Sequence, residues 1–298
     1  MCLVDGLCMS EGILNCITIL DAIPQGELNT ARNLRDALRD IAFYGGTDFE
    51  VRYFRIENQK DLHTAISSIT MESENNGLVP WLHLEGHGLE DECGFATADG
   101  TFCSWNVLKE IITPLNIATN LNTIIVLATC YGGSFTKSIT TIDRAPVFGV
   151  IGPTREITVG EVEVDFPAFY KTFFETHTLK QAIDALNARS SRGLYYQTTA
   201  TKFFCDVWAA YKTNACSEKE LDIRARRMYR KAKKDASSPT PSIGQLKRRL
   251  KKEEKGLFEK YRDKYFMYDL NASNQSRFPV TYRDVERHAS RNKIVIES

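Results

Sequence analysis

Two short stretches place reactive side chains beside flexible backbone. Thr129-Cys130-Tyr131-Gly132-Gly133 closes the apolar run 122–129, and Gly86-His87-Gly88 follows the run 78–84. Ahead of a helix-like stretch, Cys130 has two advantages as a nucleophile. A nearby helix start favours a thiolate. The glycines admit a substrate backbone, and the cysteine's own amide can face a developing oxyanion. Its other role is structural, because cysteine is among the most buried residue types. Glycine on both sides leaves His87 little to pack on, which suits an exposed working imidazole; a turn histidine is the alternative. Together they can supply the nucleophile and general base of acyl transfer.

Other candidates carry less. His83 is four residues before His87, and in an extended segment it shares a face with Trp81, Glu85 and His87. A metal pair there lacks a third ligand, so a buried, hydrogen-bonded histidine is expected. Cys93 and Cys103 flank the Asp99-Gly100 hairpin signal, where no strand-to-helix turn presents them. Cys2, Cys8, Cys16, Cys205 and Cys216 have no context beyond packing or exposure. There is no GxxxxGK[ST], GxGxxG or GxSxG, which argues against a nucleotide site and a serine hydrolase. No metal and no cofactor is expected.

The elements that must position Cys130 and His87 alternate. Apolar, β-branched runs at 12–20, 49–56, 78–84, 122–129 and 146–151 read as strands. Helical spacing appears at 28–43, 60–71, 105–112, 165–174 and 178–188. This alternation implies crossover connections and a mostly parallel sheet with helices on both faces, the α/β class. In such sheets sites form beyond the carboxyl ends of the strands, where both glycine-flanked residues fall.

Of 298 residues, 43% are apolar and 26% charged, and 38 Lys/Arg balance 38 Asp/Glu. That excludes a globally basic nucleic-acid coat and an acidic disordered tail. No apolar run reaches membrane-span length. Eight cysteines without CxxC spacing, and a start without a basic n-region, point to a reducing, cytoplasmic compartment. Residues 218–265 differ, with 17 Lys/Arg against 8 Asp/Glu, and read as two charged helices broken at 237–242. We expect a first domain over 1–217 and a basic, mainly helical extension over 218–298. The apolar stripe Leu246, Leu250, Leu257, Phe258, Tyr261, Tyr265 favours packing or a protein partner over nucleic acid.

The blocks in order resemble the caspase-like (clan CD) cysteine peptidases, and among them the CHAT group. The first block is Val79-Pro80-Trp81-Leu82-His83-Leu84-Glu85-Gly86-His87-Gly88. The second is Ile124-Ile125-Val126-Leu127-Ala128-Thr129-Cys130-Tyr131-Gly132-Gly133. Val147 to Gly152, Asp165-Phe166-Pro167-Ala168-Phe169-Tyr170 and Leu179-Lys180-Gln181-Ala182-Ile183 continue the agreement. The resemblance spans about residues 12–215. It implies a caspase-like three-layer fold, His87 as general base or acid, Cys130 as nucleophile, and the Gly88 and Cys130 amides as oxyanion hole. It implies a cysteine endopeptidase acting on protein substrates, a regulated effector of bacterial antiviral defence or cell death that a partner activates. Two departures matter. Relatives that cut after Arg or Lys often carry Asp two residues before the cysteine, where this chain has Ala128. The stretch from Cys130 to Pro146 is short, which suggests an uncleaved single chain. Glu156, Glu161, Glu163 and Asp165 are candidates for lining a substrate pocket, with a solvated acidic loop as the alternative. The rival to an enzyme is a catalytically silent adaptor that binds a partner protein or nucleic acid through its basic region.

Overall fold

A computed structural model describes residues 14–46, 49–188, 194–234 and 240–296, with no side chain beyond 290. Cys2, Cys8, the first residues of the 12–20 run and Ser237–Pro239 of the expected break lie outside the described residues. The chain forms two compact units. One contains the described residues up to Thr140 together with Ala145–Ala200. The other contains Thr141–Arg144 and the chain from Thr201 onward. This division precedes the change in composition at Glu218.

The first unit runs β1 (Cys16–Asp21), α1 (Thr30–Gly45), β2 (Glu50–Arg55), α2 (Gln59–Asn76) and β3 (Pro80–Glu85). There follow β4 (His87–Gly88), β5 (Gly94–Ala96), β6 (Phe102–Ser104) and α3 (Trp105–Ala118). It closes with β7 (Ile124–Ala128), a 3-10 helix (Gly132–Ser138), β8 (Gly149–Pro153), α4 (Val159–Thr176), α5 (Leu179–Asn187) and β9 (Tyr195–Thr199). Six strands make one sheet in the order β2-β1-β3-β7-β8-β9, parallel except where β9 returns antiparallel to β8. The fold is therefore α/β with a mostly parallel central sheet. Strand periodicity explains how it is covered. Ile17, Ile19, Trp81, Ile124, Val126 and Ile151 pack with Leu34 and Leu38 of α1, Phe166, Phe169 and Tyr170 of α4, and Ala182 and Ile183 of α5. Their alternates Leu20, Leu82, Leu84, Ile125 and Leu127 are equally buried. Both faces of β1, β3 and β7 are thus dry, which is why these strands read as continuous apolar runs.

Boundaries differ where a cap or a ladder decides them. The helix expected from Asp165 starts at Val159, because Thr158 and Glu161 form a capping box. The strand expected over 146–151 pairs over Gly149–Pro153. The basic region begins its second helix after Ser242, which makes a capping box with Gln245.

The second unit is helical: α6 (Ala200–Ala215), α7 (Glu218–Lys234), α8 (Ile243–Tyr265), α9 (Asn274–Arg277) and α10 (Tyr282–Ile296). Leu221 and Ala225 of α7 pack on Leu246 and Leu250 of α8. Further along α8, Phe258 and Tyr265 meet Phe204, and Phe258 also meets Trp208. The apolar stripe of the basic region is therefore mostly used inside this unit. Leu257, 40% exposed, is left out of it. No helix among the described residues is long and apolar enough to cross a membrane.

Candidate active site

β3 and β7 are neighbours at the centre of the sheet, with Glu85 opposite Ala128. The segments that follow them therefore emerge at one carboxyl edge. His87-Gly88 is not a loop there. It is a short strand pairing with β5, which pairs in turn with β6 across the Asp99-Gly100 hairpin. Leu89 N–H donates to Gly94 O at 3.2 Å. Bonded positions alternate along an antiparallel pair, so the Gly88 N–H is turned away from β5.

Gly88 lies against the Cys130 backbone. A Cβ at Gly88 would stand 1.8 Å from the Cys130 carbonyl oxygen and 2.9 Å from the Cys130 Cα. Only glycine permits this approach, and it fixes His87 one residue away from the Cys130 main chain. The Cys130 N–H has no acceptor among the described residues. A second close approach supports the cysteine turn. A Cβ at Gly152, on β8, would lie 2.8 Å from the Gly133 nitrogen.

The turn after Cys130 differs from the expected helix start. It is a seven-residue 3-10 helix preceded by Tyr131 in the left-handed region, φ 57°. Its first amides are used locally: Tyr131 N–H donates to Arg155 O at 3.1 Å and Gly132 N–H to Thr129 O at 3.0 Å. The thiol is half-buried, and its Sγ accepts from Ile157 N–H at 3.5 Å. His87 has 56% of its side chain exposed, and its Nε2 lies 2.8 Å from Glu27 Oε2. Ring and thiol share the edge but are not hydrogen-bonded to each other. Such bonds often tighten only when substrate is present.

His83 has no exposure. Its Nδ1 lies 3.1 Å from the Tyr170 hydroxyl and its Nε2 3.0 Å from Glu85 Oε1. Burial and the Glu85 charge push the Tyr170 hydroxyl far above the ordinary phenol range, so it remains a donor. Thr30 donates to Glu85 Oε2. Opposite Glu85 in register stands Asp21, also fully buried. Burial raises its pKa. Hydrogen bonds from Tyr53, Asn29, the Ile23 N–H and Arg55 outweigh that and hold its carboxyl below the usual range.

The four acidic pocket candidates separate. Asp165 is 3% exposed and accepts from Tyr195 at 2.8 Å, so it faces the core of its unit and not a substrate. Glu161 is occupied by the α4 cap and by Arg155 at 3.0 Å. Glu163 accepts from Asn33 at 2.8 Å. Glu156 is exposed and stands beside Ile157. Desolvation, followed by the charges of Glu156, Glu92, Cys130 and Glu90, raises the Tyr131 hydroxyl pKa, so carboxylates stand near the rim beside Cys130, Glu92 among them paired with Lys137.

Among the other cysteines, burial pushes the Cys103 thiol up to about 12. Burial takes Cys16 to about 11 against an opposing Thr18 hydrogen bond. Cys205 is buried and Cys93 exposed. Among the described residues no three His, Cys, Asp or Glu side chains group as a metal site. Glu27 and Asp21 carry no signal in the sequence at this edge, and Glu85 is legible only as sharing a face with His83 and His87. Glu27 stands in a turn without periodicity, and its partner is 60 residues away. No family model matches the chain, and no curated protein matches it.

Proposed function

We propose that the chain is a cysteine endopeptidase with a caspase-like fold of the CHAT kind, with Cys130 as nucleophile and His87 as general base and acid. The observation that carries this reading is the contact of Gly88 with the Cys130 backbone. It holds an exposed imidazole and a half-buried thiol at one carboxyl edge. It also leaves the Gly88 and Cys130 amides free of the β5 ladder and of the turn.

The chemistry follows from these positions. His87 takes the Cys130 proton as Sγ attacks a peptide carbonyl carbon, and a C–S bond forms. The carbonyl oxygen becomes an anion, which the Gly88 and Cys130 amides stabilise. The C–N bond then breaks, and His87 gives its proton to the departing amine. Water attacks the thioester while His87 accepts a proton from it, and that proton returns to Sγ as the acid leaves. On this reading the protein is a regulated effector that cuts proteins after a partner activates it.

The test is a cleavage profile of the purified protein on a peptide library, with Cys130→Ala beside it. Cleavage by the native chain that Cys130→Ala lacks supports the reading. Equal cleavage by both refutes it.

A further inference from the structure

Among the described residues, Glu27 is the one side chain hydrogen-bonded to His87, and two buried carboxylates hold the segment that carries it. Asp21 Oδ1 accepts from the Ile23 N–H at 2.9 Å, and Asp21 Oδ2 accepts from Asn29 Nδ2 at 2.8 Å. The chain between Ile23 and Asn29 is thereby pinned at both ends to the last residue of β1. Within it, Gly26 at φ 93° turns the backbone, and the Glu27 N–H reaches back to Pro24 O at 3.4 Å. Asn29 Oδ1 also caps α1 through the Arg32 N–H at 2.8 Å, and Thr30 donates to Glu85. Glu85 O accepts from the Ala22 N–H at 2.8 Å. Glu85 itself stands two residues before His87. Both partners therefore hang from adjacent, register-paired residues of β1 and β3.

Stability does not explain the pair. Both side chains are about half exposed, 56% and 48%, and exposed pairs contribute little to stability. Its chemical consequence is larger. With Glu27 accepting at Nε2, the neutral ring carries its proton there and keeps the Nδ1 lone pair for the thiol. The carboxylate also stabilises the imidazolium formed when the ring takes that proton.

We infer that Glu27 is a positioning residue for His87, the third member of a Cys130–His87–Glu27 relay; this rests on the peptidase reading above. Glu27→Gln keeps the size of the side chain and removes its charge. Glu27→Asp keeps the charge one methylene short of the ring.

The test reads the rate at which iodoacetamide alkylates Cys130, located by mass mapping, in the native protein, His87→Ala, Glu27→Gln and Glu27→Asp. His87 ring 15N shifts are recorded in the native protein and both Glu27 variants. His87→Ala should slow alkylation, Glu27→Gln should slow it about tenfold, and Glu27→Asp should fall between Glu27→Gln and native. The protonated ring nitrogen should be Nε2 in the native protein and should change in Glu27→Gln, with the thermal midpoint unmoved. If peptide turnover is measurable, Glu27→Gln should lower kcat and leave KM within about twofold. Slowing by His87→Ala with native rate and native shifts in Glu27→Gln overturns the role of Glu27 and spares the dyad. Native alkylation in His87→Ala overturns both.

Discussion

His83 and His87 lie four residues apart, in two regions of opposite character. His83 belongs to a buried group with Glu85, Tyr170 and Thr30, in which both ring nitrogens have partners. His87 belongs to an exposed rim, with one nitrogen on Glu27 and no hydrogen bond to the other among the described residues. The same side chain is a fixed strut in one place and, on the proposed reading, a base in the other. What separates them is the pair of glycines around His87, which carry the chain off the sheet into the short β4 ladder. Polar groups saturated inside the protein contribute stability and specificity of packing. Polar groups left open at a strand end can meet a substrate.

The largest effect should come from Gly88→Ala. The added methyl cannot coexist with the Cys130 carbonyl at 1.8 Å, so β4 or the cysteine turn must move. Turnover should fall below detection and the thermal midpoint should drop; a fully active Gly88→Ala protein would show that the contact does not build the site. His87→Ala comes next, with a loss of turnover of about 10²–10⁴-fold and a nearly native thermal midpoint. His83→Ala should reverse the pattern. Removing one partner from a buried hydrogen-bonded group costs about 1–3 kcal/mol, which denaturant titration would read, while residual turnover stays above that of His87→Ala. If His83→Ala kills turnover in a well-folded protein and His87→Ala does not, the two roles are exchanged.

How far these regions were legible depended on what made them. β1, β3 and β7 are buried on both faces, so their sequences announce strands. β9, Tyr195–Thr199, lies at the sheet edge with polar Gln197, Thr198 and Thr199, and showed no such run. The glycine-flanked cysteine and histidine were legible as isolated stretches. Gly88 as the point of contact with Cys130 was not, because it depends on a ribbon that returns from the Asp99-Gly100 turn. Glu27 was invisible because its partner is 60 residues away, and Asp21 because its local bonds to Ile23 and Asn29 gain meaning only with Tyr53 and Arg55 of the neighbouring strand. Asp165, one of four candidates for a pocket or a solvated acidic loop, is instead buried with Tyr195, since its helix begins a turn and a half earlier than the apolar spacing showed.

A smaller effect separates the two regions by pH. The Asp21 carboxyl lies below its ordinary value of 3.8 in the folded chain. Its stabilisation is complete above that value and is lost as pH falls through the lower, folded one. Asp21→Asn should therefore be less stable than native at neutral pH and show a flatter acid limb below about pH 4 in thermal melts. An unchanged acid limb would assign the acid sensitivity to other carboxylates.

The smallest and most conditional effect concerns the residue before the cut. Ala128, 4% exposed, offers no charge for Arg or Lys, and a buried cation left unpaired costs several kcal/mol. A neutral residue should be preferred there. A profile dominated by Arg or Lys would refute that, and the carboxylates near the rim beside Cys130 name the place to look next. Glu156→Gln should then weaken the preference, whereas Asp165→Asn should act through stability alone.

The central claim is that Cys130 is the reactive thiol. Mass mapping after treatment with a thiol-directed electrophilic peptide tests it most directly, because Cys16 and Cys103 resist ionisation and, among the described residues, Cys93 is the exposed competitor. One adduct, on Cys130, that disappears in Cys130→Ala and weakens in His87→Ala is the expected result. An adduct that maps to Cys93 and survives Cys130→Ala contradicts it.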